Sequence, residues 1–363
     1  MLKIKNNYMK NKDVIKRQPI LETTARPSLK ADELEMVNNY RRFYNEATEQ
    51  GLDPNSVKHG WFKSKESSLF AKNPSFKTGE STAFESMTKD IIKDIKSYAP
   101  KYPTIKRSKS KDAHLLIVDP ADIHIGKLCT AYETGTEYNQ NIAVKRVLEG
   151  VQGLLDKSNG FNIDKIIFVA GNDILHTDTP NKTTKGTQVE QDGTWYDNFL
   201  TAKQLYVDII EMLMQISDVE VVFNPSNHDY QSGFFLAQTI EAHFRLSKNV
   251  TFNCSIAHRK YSAYGNSLIG TTHGDGAKQI DLGSLMSIEA KEHWATSEHR
   301  YFYTHHVHHK SSKDYINVSV ETLRSPSPAD SWHATKGYKS PEGIEAFLHS
   351  KEHGQVARIT HLY

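Results

Sequence analysis

The chain has 363 residues, 37% of them hydrophobic, and a net charge of +2, enough for one large domain and a smaller one. No apolar run approaches the roughly 18 residues of a membrane-spanning helix, and the basic start, MLKIKNNYMKNKDVIKRQ, lacks the apolar core of a secretory signal, so a cytoplasmic location with no membrane partner is expected. Two cysteines, Cys129 and Cys254, make no disulfide framework and suit a reducing compartment.

Charge is unevenly spread. Residues 1–111 hold 23 Lys+Arg against 13 Asp+Glu, a balance of +10, and the remainder holds 22 against 30, a balance of −8. A basic first part suits an anionic partner and an acidic second part suits cations.

In chain order, residues 1–30 are polar and irregular, with Pro19 and Pro27, and read as a loose arm. Ala31 to Gln50 has a helical period, with Leu34, Val37, Tyr40 and Tyr44 on one face and Gly51 as the stop. Asp53 or Asn55 is placed to cap a second helix carrying Val57, Trp61 and Phe62. That pattern suits either a helix-turn-helix or a small packing bundle. Ser81 to Tyr98 reads as another helix, and KYPTIKRSKSKD, residues 101–112, as a basic linker. The expected domains are therefore 1–111, basic and mostly helical, and 112–363.

From His114 apolar runs alternate with amphipathic helices. HLLIVDP, KIIFVAGND, VEVVFNPSNHD, SLIGTTHGDG and YFYTHHVHH read as strands, and INVSVETL and QVARITHL as strands towards an edge. Helices are expected over Ile142–Leu155, Trp195–Ile216 and FFLAQTIEAHFRL, the second with Phe199, Leu205, Ile209, Leu213 and Ile216 inward. This is an α/β alternation around a central sheet.

Ligand sites of such sheets lie at the carboxyl ends of strands. There the five strands deliver Asp122 and His124, Asn172 and Asp173, Asn227, His228 and Asp229, His273, and His306 and His308. Mixed carboxylate, imidazole and amide ligands suit borderline divalent ions. The number of ligands exceeds the need of one ion and suits two sharing a carboxylate.

These residues resemble the pattern of the calcineurin-like metallophosphoesterases: D-x-H, G-D, G-N-H-D/E, a lone H, then G-H-x-H. Here it stands as Asp122-Ile-His124, Gly171-Asn172-Asp173, Ser226-Asn227-His228-Asp229, His273 and His305-His306-Val307-His308. The resemblance covers about residues 112–310. It implies a two-sheet sandwich flanked by helices, joined here to the small helical N-terminal domain. It also implies a dinuclear phosphoesterase that uses metal-activated hydroxide. Asp122, His124 and His308 would hold one metal, and Asn227, His273 and His306 the other, with Asp173 bridging. His228 would protonate the leaving oxygen, and Asp229 would orient its ring. Mn²⁺ is the first expectation for the ions, with Mg²⁺, Fe²⁺ or Zn²⁺ as alternatives. The departures from the pattern are Asn172 ahead of Asp173, and Ser226 and His305 in place of glycines. They leave open Asn172 as the bridge and a register slip to His305.

Residues 57–74, 171–195 and 325–338 further resemble phage-encoded, exonuclease-like phosphoesterases, which would place the protein in a host cytoplasm. In the 176–194 loop His176, Thr183, Thr184 and Lys185 are the candidate substrate contacts, against the alternative of a surface loop with none. The first functional expectation is a nuclease hydrolysing DNA phosphodiesters, with the basic first domain on the backbone. The second is a phosphatase or phosphodiesterase acting on nucleotides, signalling molecules or phosphoproteins. A non-catalytic binding protein on this scaffold is the third, and homo-oligomerisation is left open.

Overall fold

The structure is a computed structural model that describes residues 31–49, 51–63, 68–73, 99–107, 110–330, 335, 337 and 339–363. The arm over 1–30 and the helix expected over Ser81–Tyr98 lie outside the described residues. The chain forms two compact units, Met1–Lys93 and Asp94–Tyr363.

In the first unit α1 spans Ala31–Glu49. Phe43 and Ala47 are buried, while Val37 and Tyr44 are exposed, so the inward stripe is rotated from the expected face. No helix follows over the described residues 51–63. Asp53 Oδ1 accepts the Asn55 amide at 3.0 Å and closes only a turn. His59–Lys63 (β1) then pairs antiparallel with Ser68–Lys72 (β2), Trp61 opposite Phe70. The run HGWFK is rich in aromatic side chains that favour extended backbone, and the hairpin stands where the second helix was expected.

Two sheets build the second unit. One has six strands in the order β13-β12-β3-β4-β5-β6: Gly354–Leu362, Gly343–Ser350, Ala113–Asp119, Asn162–Gly171, Val219–Asn224 and Val250–Asn253. The other has five in the order β10-β11-β9-β8-β7: Ser311–Tyr315, Val318–Thr322, His299–Thr304, Ser267–Thr272 and Lys260–Tyr264. β3 to β6 run parallel, as do β8, β9 and β11. Strands covered on both faces are apolar over the covered length: β3, β5 and β8 are buried along almost their whole length, and β4 from Ile166 onward. β13 is an edge strand as expected, but β11 is covered by β10. β12, which alternates apolar residues with Glu345 and His349, was not legible as a strand and lies beside β3.

Between the sheets Leu115, Ile117, Ile167, Val169, Ile269 and Tyr303 form the sandwich core. The outer face of the six-stranded sheet is covered by α2 (Gln140–Lys157), α3 (Trp195–Ile216) and α4 (Tyr230–Phe244). α2 starts where Asn139 accepts the Ile142 amide, an N-cap satisfying a donor that the helix cannot. Its stripe Ala143, Val147, Val151, Leu154 is buried at helical spacing. In α3 Leu205, Ile209 and Leu213 point inward as expected, but Ile216, in its last turn, is exposed. α5 (Leu282–Glu289) and α6 (Lys291–Thr296) follow β8. Leu282 and Met286 of α5 and Ala290 pack against Leu268, Phe302 and Val320 on the outer face of the second sheet. The two-sheet sandwich flanked by helices is therefore the observed fold. No helix among the described residues is long and apolar enough to cross a membrane.

The residues expected to be a linker belong to this second unit. Ile105 exchanges hydrogen bonds with Asn249 at 2.9 Å each, and the Tyr102 ring stacks on Phe244. The break between compact units accordingly falls after Lys93 rather than after residue 111.

One core contact makes stability depend on acid. His349 is fully buried, with Nε2 2.7 Å from the Tyr303 hydroxyl and Nδ1 unpartnered. Burial, and secondarily the charge of His299, pushes its pKa down to about 3. A group depressed in the folded state contributes stability above its unfolded pKa of about 6.5 and loses it as pH falls towards the folded value. Urea midpoints from pH 7 to pH 4 should therefore reveal a loss on the order of 3 kcal/mol from this residue. His349→Gln should flatten that part of the curve, and an unchanged acid slope would contradict the assignment.

Candidate metal centre

Each predicted ligand lies on a loop that leaves the carboxyl end of a strand. β3 leads to Asp122 and His124, β4 to Asp173, β5 to Asn227 and His228, β8 to His273, and β9 to His306 and His308. The loops are wound tightly. Asp122, His124, Asn172, Asp173, His306 and His308 have φ of 53°, 53°, 52°, 60°, 71° and 55°. Left-handed backbone at a residue with a Cβ costs roughly 1–2 kcal/mol and persists where surrounding contacts fix it. Here the Asp122 amide donates to Asn172 O at 2.8 Å, and the His124 amide to Asp173 O at 2.9 Å.

Among the described residues the side chains converge in three groups, of which two are predicted ligand sets and the third is His124, His176 and His228. Ligand atoms of Asp122, His124 and His308 lie within 4.8 Å of one another, as do those of Asp173, His273 and His306. In the first group His124 Nε2 is 3.3 Å from His308 Nε2, which is 3.3 Å from Asp122 Oδ1. In the second, His273 Nε2 is 3.2 Å from Asp173 Oδ2 and 2.9 Å from Asn227 Oδ1. The other Asp122 oxygen accepts the His306 amide at 3.2 Å, tying one group to the loop of the other.

Electrostatics and satisfaction fit a cation. Asp122 Oδ1 is buried without a hydrogen-bond partner, despite the nearby ring nitrogen. Two imidazole nitrogens facing each other at 3.3 Å can share only one proton between them. Burial raises the Asp122 carboxyl, but His308 outweighs it and the net shift is downward. Burial likewise opposes the charge of Asp173, yet His273 beside it holds that carboxyl far below its ordinary range. Burial pushes His124 well below its ordinary value, the setting of a neutral ligand imidazole. His273 is disfavoured by burial but raised to about 9 by Asp173. The donor set of carboxylate oxygen, imidazole and amide, with no thiolate, suits a divalent ion of the Mn²⁺, Fe²⁺ or Zn²⁺ kind.

The structure differs from expectation at several residues. Asp229 does not orient the ring of His228. Its carboxylate is 1% exposed and accepts the Leu175 amide at 2.9 Å and the Ser226 hydroxyl at 2.5 Å. The residue stands at the N-terminus of α4, turned into the fold. Burial, then the charge of Asp173, raises its pKa to about 7. His228 Nδ1 instead lies 2.9 Å from the carbonyl oxygen of His176. His305 is no ligand. It is buried, with Nε2 2.9 Å from Asp119 Oδ2 and Nδ1 3.0 Å from Thr272 O. Asn172 is buried with both side-chain polar atoms unpartnered, while Asp173 engages His273 and the His228 amide.

A cavity of about 1120 Å³ opens over the two groups, lined among others by Asn227, His228, His306 and His308. Of the candidate substrate contacts His176, Thr183 and Lys185 line it. The His176 ring stacks on His228 with centroids 5.3 Å apart. Thr184 is used inside the protein: its hydroxyl donates to Asp178 and accepts the Tyr230 amide. Asp178 also accepts the Ser232 amide at 2.7 Å, so the 176–194 loop is fastened to the start of α4.

Three residues with no role in the sequence pattern are buried close to these loops. Ser226 accepts the Asp173 amide at 2.8 Å while donating to Asp229, joining the second and third loops. Ser325 donates to the Asp122 carbonyl at 2.7 Å. Lys127 is buried beside the first pair of ligands. Only the glycine departure at Ser226 marked any of them in the sequence.

No family model matches the chain, and no curated protein matches it. Among solved structures it is similar to an archaeal phosphodiesterase, at 8% identity over 69% of this chain and 99% of that one, with a TM-score of 0.31. It is similar to a Vps29 of Entamoeba histolytica complexed with Zn²⁺, at 12% identity over 69% and 98%, TM-score 0.31. It is also similar to the Vps29 of Chaetomium thermophilum, at 9% identity over 69% and 97%, TM-score 0.29. Likeness at such identities concerns the fold, and the chemistry rests on the side chains.

Proposed function

We propose that the protein is a metal-dependent phosphoric ester hydrolase that binds two divalent ions and cleaves phosphodiesters, with DNA as the substrate class. The observation that carries this reading is the convergence of two ligand groups, Asp122/His124/His308 and Asp173/His273/His306, each with one histidine, His308 and His306, in the lining of one cavity. When bound, such a pair supplies the charge that activates a water and neutralises phosphoryl oxygens. Asp173 reaches His273 with one oxygen and the His228 amide with the other, and it is the proposed bridge between the two ions. Mn²⁺ is the ion proposed first, with Mg²⁺, Fe²⁺ or Zn²⁺ as the other candidates.

His228 is the proposed acid. With Nδ1 on the His176 carbonyl, the ring keeps its other nitrogen for a leaving oxygen in the cavity. Lys185 and Lys339 line the same cavity and are the cationic side chains available to flanking phosphates. The basic balance of residues 1–111 supports a nucleic-acid substrate.

A second reading, a hydrolase of small phosphoesters, is favoured by the same wall: Glu133, Glu190 and Asp330 also line the cavity and oppose a polyanion. Activity with Mn²⁺ on p-nitrophenyl phosphate, bis-p-nitrophenyl phosphate, cyclic nucleotides and single- and double-stranded DNA separates the readings. Cleavage of DNA with weak monoester hydrolysis supports the first. Efficient turnover of the small esters with DNA left intact supports the second. No hydrolysis of any substrate overturns both.

A further inference from the structure

Lys127 is a buried cation that the proposed reaction does not use. It follows His124 by three residues, and it is 1% exposed. A buried ammonium is costly unless its protons are satisfied, and its recorded partners are all in one short segment. Nζ donates to the Pro328 carbonyl at 2.6 Å and lies 3.5 Å from the Ser327 hydroxyl and 3.7 Å from Asp330 Oδ2. The segment is fastened at two further points. Ser325 donates to the Asp122 carbonyl at 2.7 Å and accepts the Ser327 amide at 2.9 Å. Arg146 donates to the Pro326 carbonyl at 2.7 Å.

Residues 325–330 thus form a strap over the first ligand loop. Its inner side is part of the cavity, where Ser325, Ser327, Ala329 and Asp330 stand in the same lining as His228 and His308. The strap leaves β11 and precedes β12, so none of the five ligand-bearing loops carries it. Two of these anchors differ in kind: the neutral Ser325 hydroxyl, which binds the ligand loop itself, and the Lys127 charge, which draws in the far end through Pro328 and Asp330. Loss of the Ser325 anchor would disturb Asp122 directly. Loss of the Lys127 anchor would loosen the wall while leaving Asp122 tied.

We propose that Lys127 is a positioning residue that holds the 325–330 strap as the substrate-facing wall, and so sets affinity for phosphodiesters according to the size of their ester groups. The proposal rests on the phosphodiesterase reading for its kinetics but not for its structural part.

The test uses the full chain with saturating Mn²⁺ and two esters that share a leaving group, methyl p-nitrophenyl phosphate and thymidine 5′-p-nitrophenyl phosphate. Lys127→Met should raise KM for the nucleoside ester by roughly 10-fold, with kcat, and KM for the methyl ester, changed less than about 2-fold. Bound Mn²⁺ should be unchanged. Amide exchange over residues 325–330 should be faster, since local opening becomes easier when an anchor is removed. Lys127→Arg should restore much of the difference. Asp330→Asn, at a partly exposed partner, should produce a smaller shift of the same kind, and the double variant should be no worse than Lys127→Met alone. Asp330→Asn also carries the test if Lys127→Met does not fold. Equal KM changes for both esters, or a fall in kcat together with lost Mn²⁺, overturns the proposal, as does unaltered exchange over the strap. If the unsubstituted protein hydrolyses neither ester, the phosphodiesterase reading fails, and the exchange comparison still decides whether Lys127 holds the strap.

Discussion

Asp173→Asn is expected to lower turnover of bis-p-nitrophenyl phosphate by more than about 100-fold, beyond the ~10–100-fold typical of groups that only support metal ligands. Metal binding should weaken at both groups. The carboxylate is buried, faces His273 at 3.2 Å and accepts the His228 amide at 2.9 Å. An amide keeps the shape and removes the charge. His273, which Asp173 raises to about 9, would lose its counter-charge, and any cation between the two groups would lose its shared anion. The neighbouring residue is the control. Asn172 is equally buried, but its side-chain polar atoms contact no partner, so Asn172→Ala should leave metal content near normal. Titration of both variants with Mn²⁺, alongside initial rates, checks this. A larger loss in Asn172→Ala than in Asp173→Asn would move the bridging role to the amide.

His228→Ala is expected to reduce kcat by roughly 10²–10⁴, the range of a positioned general acid, with metal content unchanged. His228 belongs to neither of the two proposed metal groups. Its Nδ1 is 2.9 Å from the His176 carbonyl, and its ring packs between those of His124 and His176. The loss should be greater for a dinucleotide, whose leaving alkoxide needs a proton, than for nitrophenolate, which departs without one. Rates on both substrates in the two proteins decide it. Equal losses would make His228 a strut beneath Asn227.

Much of this could be read from the chain because strand ends announce themselves. Buried parallel strands are nearly continuous apolar runs, and each such run here stops at a polar cluster. Asp122, His124, Asp173, His273, His306 and His308 could therefore be placed at a common end before any geometry was known. Several features were hidden for identifiable reasons. β12 carries Glu345 and His349 among its apolar residues, and neither looks like core. Glu345 is buried with Arg324 and Arg358 bonded to it, partners 21 and 13 residues away that the apolar pattern does not reveal. The hairpin of β1 and β2 was masked by residues that also satisfy a helical period, and only pairing with 68–72 settles the choice. Asp229 was expected to orient the adjacent His228 because the family resemblance implies it. Adjacency fixes nothing about direction, and the chain turns Asp229 inward to Leu175 and Ser226. Ser325 and Lys127 act through contacts about 200 residues apart in sequence, which no local spacing records.

The central claim is that two ligand groups form one dinuclear site. Isothermal titration of metal-free protein with Mn²⁺, with bound metal determined after desalting, addresses it directly. About two ions per chain are expected, falling to about one in His124→Ala, which spares the Asp173/His273/His306 group. A folded protein that binds no Mn²⁺ at saturation, or loses both ions alike in His124→Ala, would contradict it.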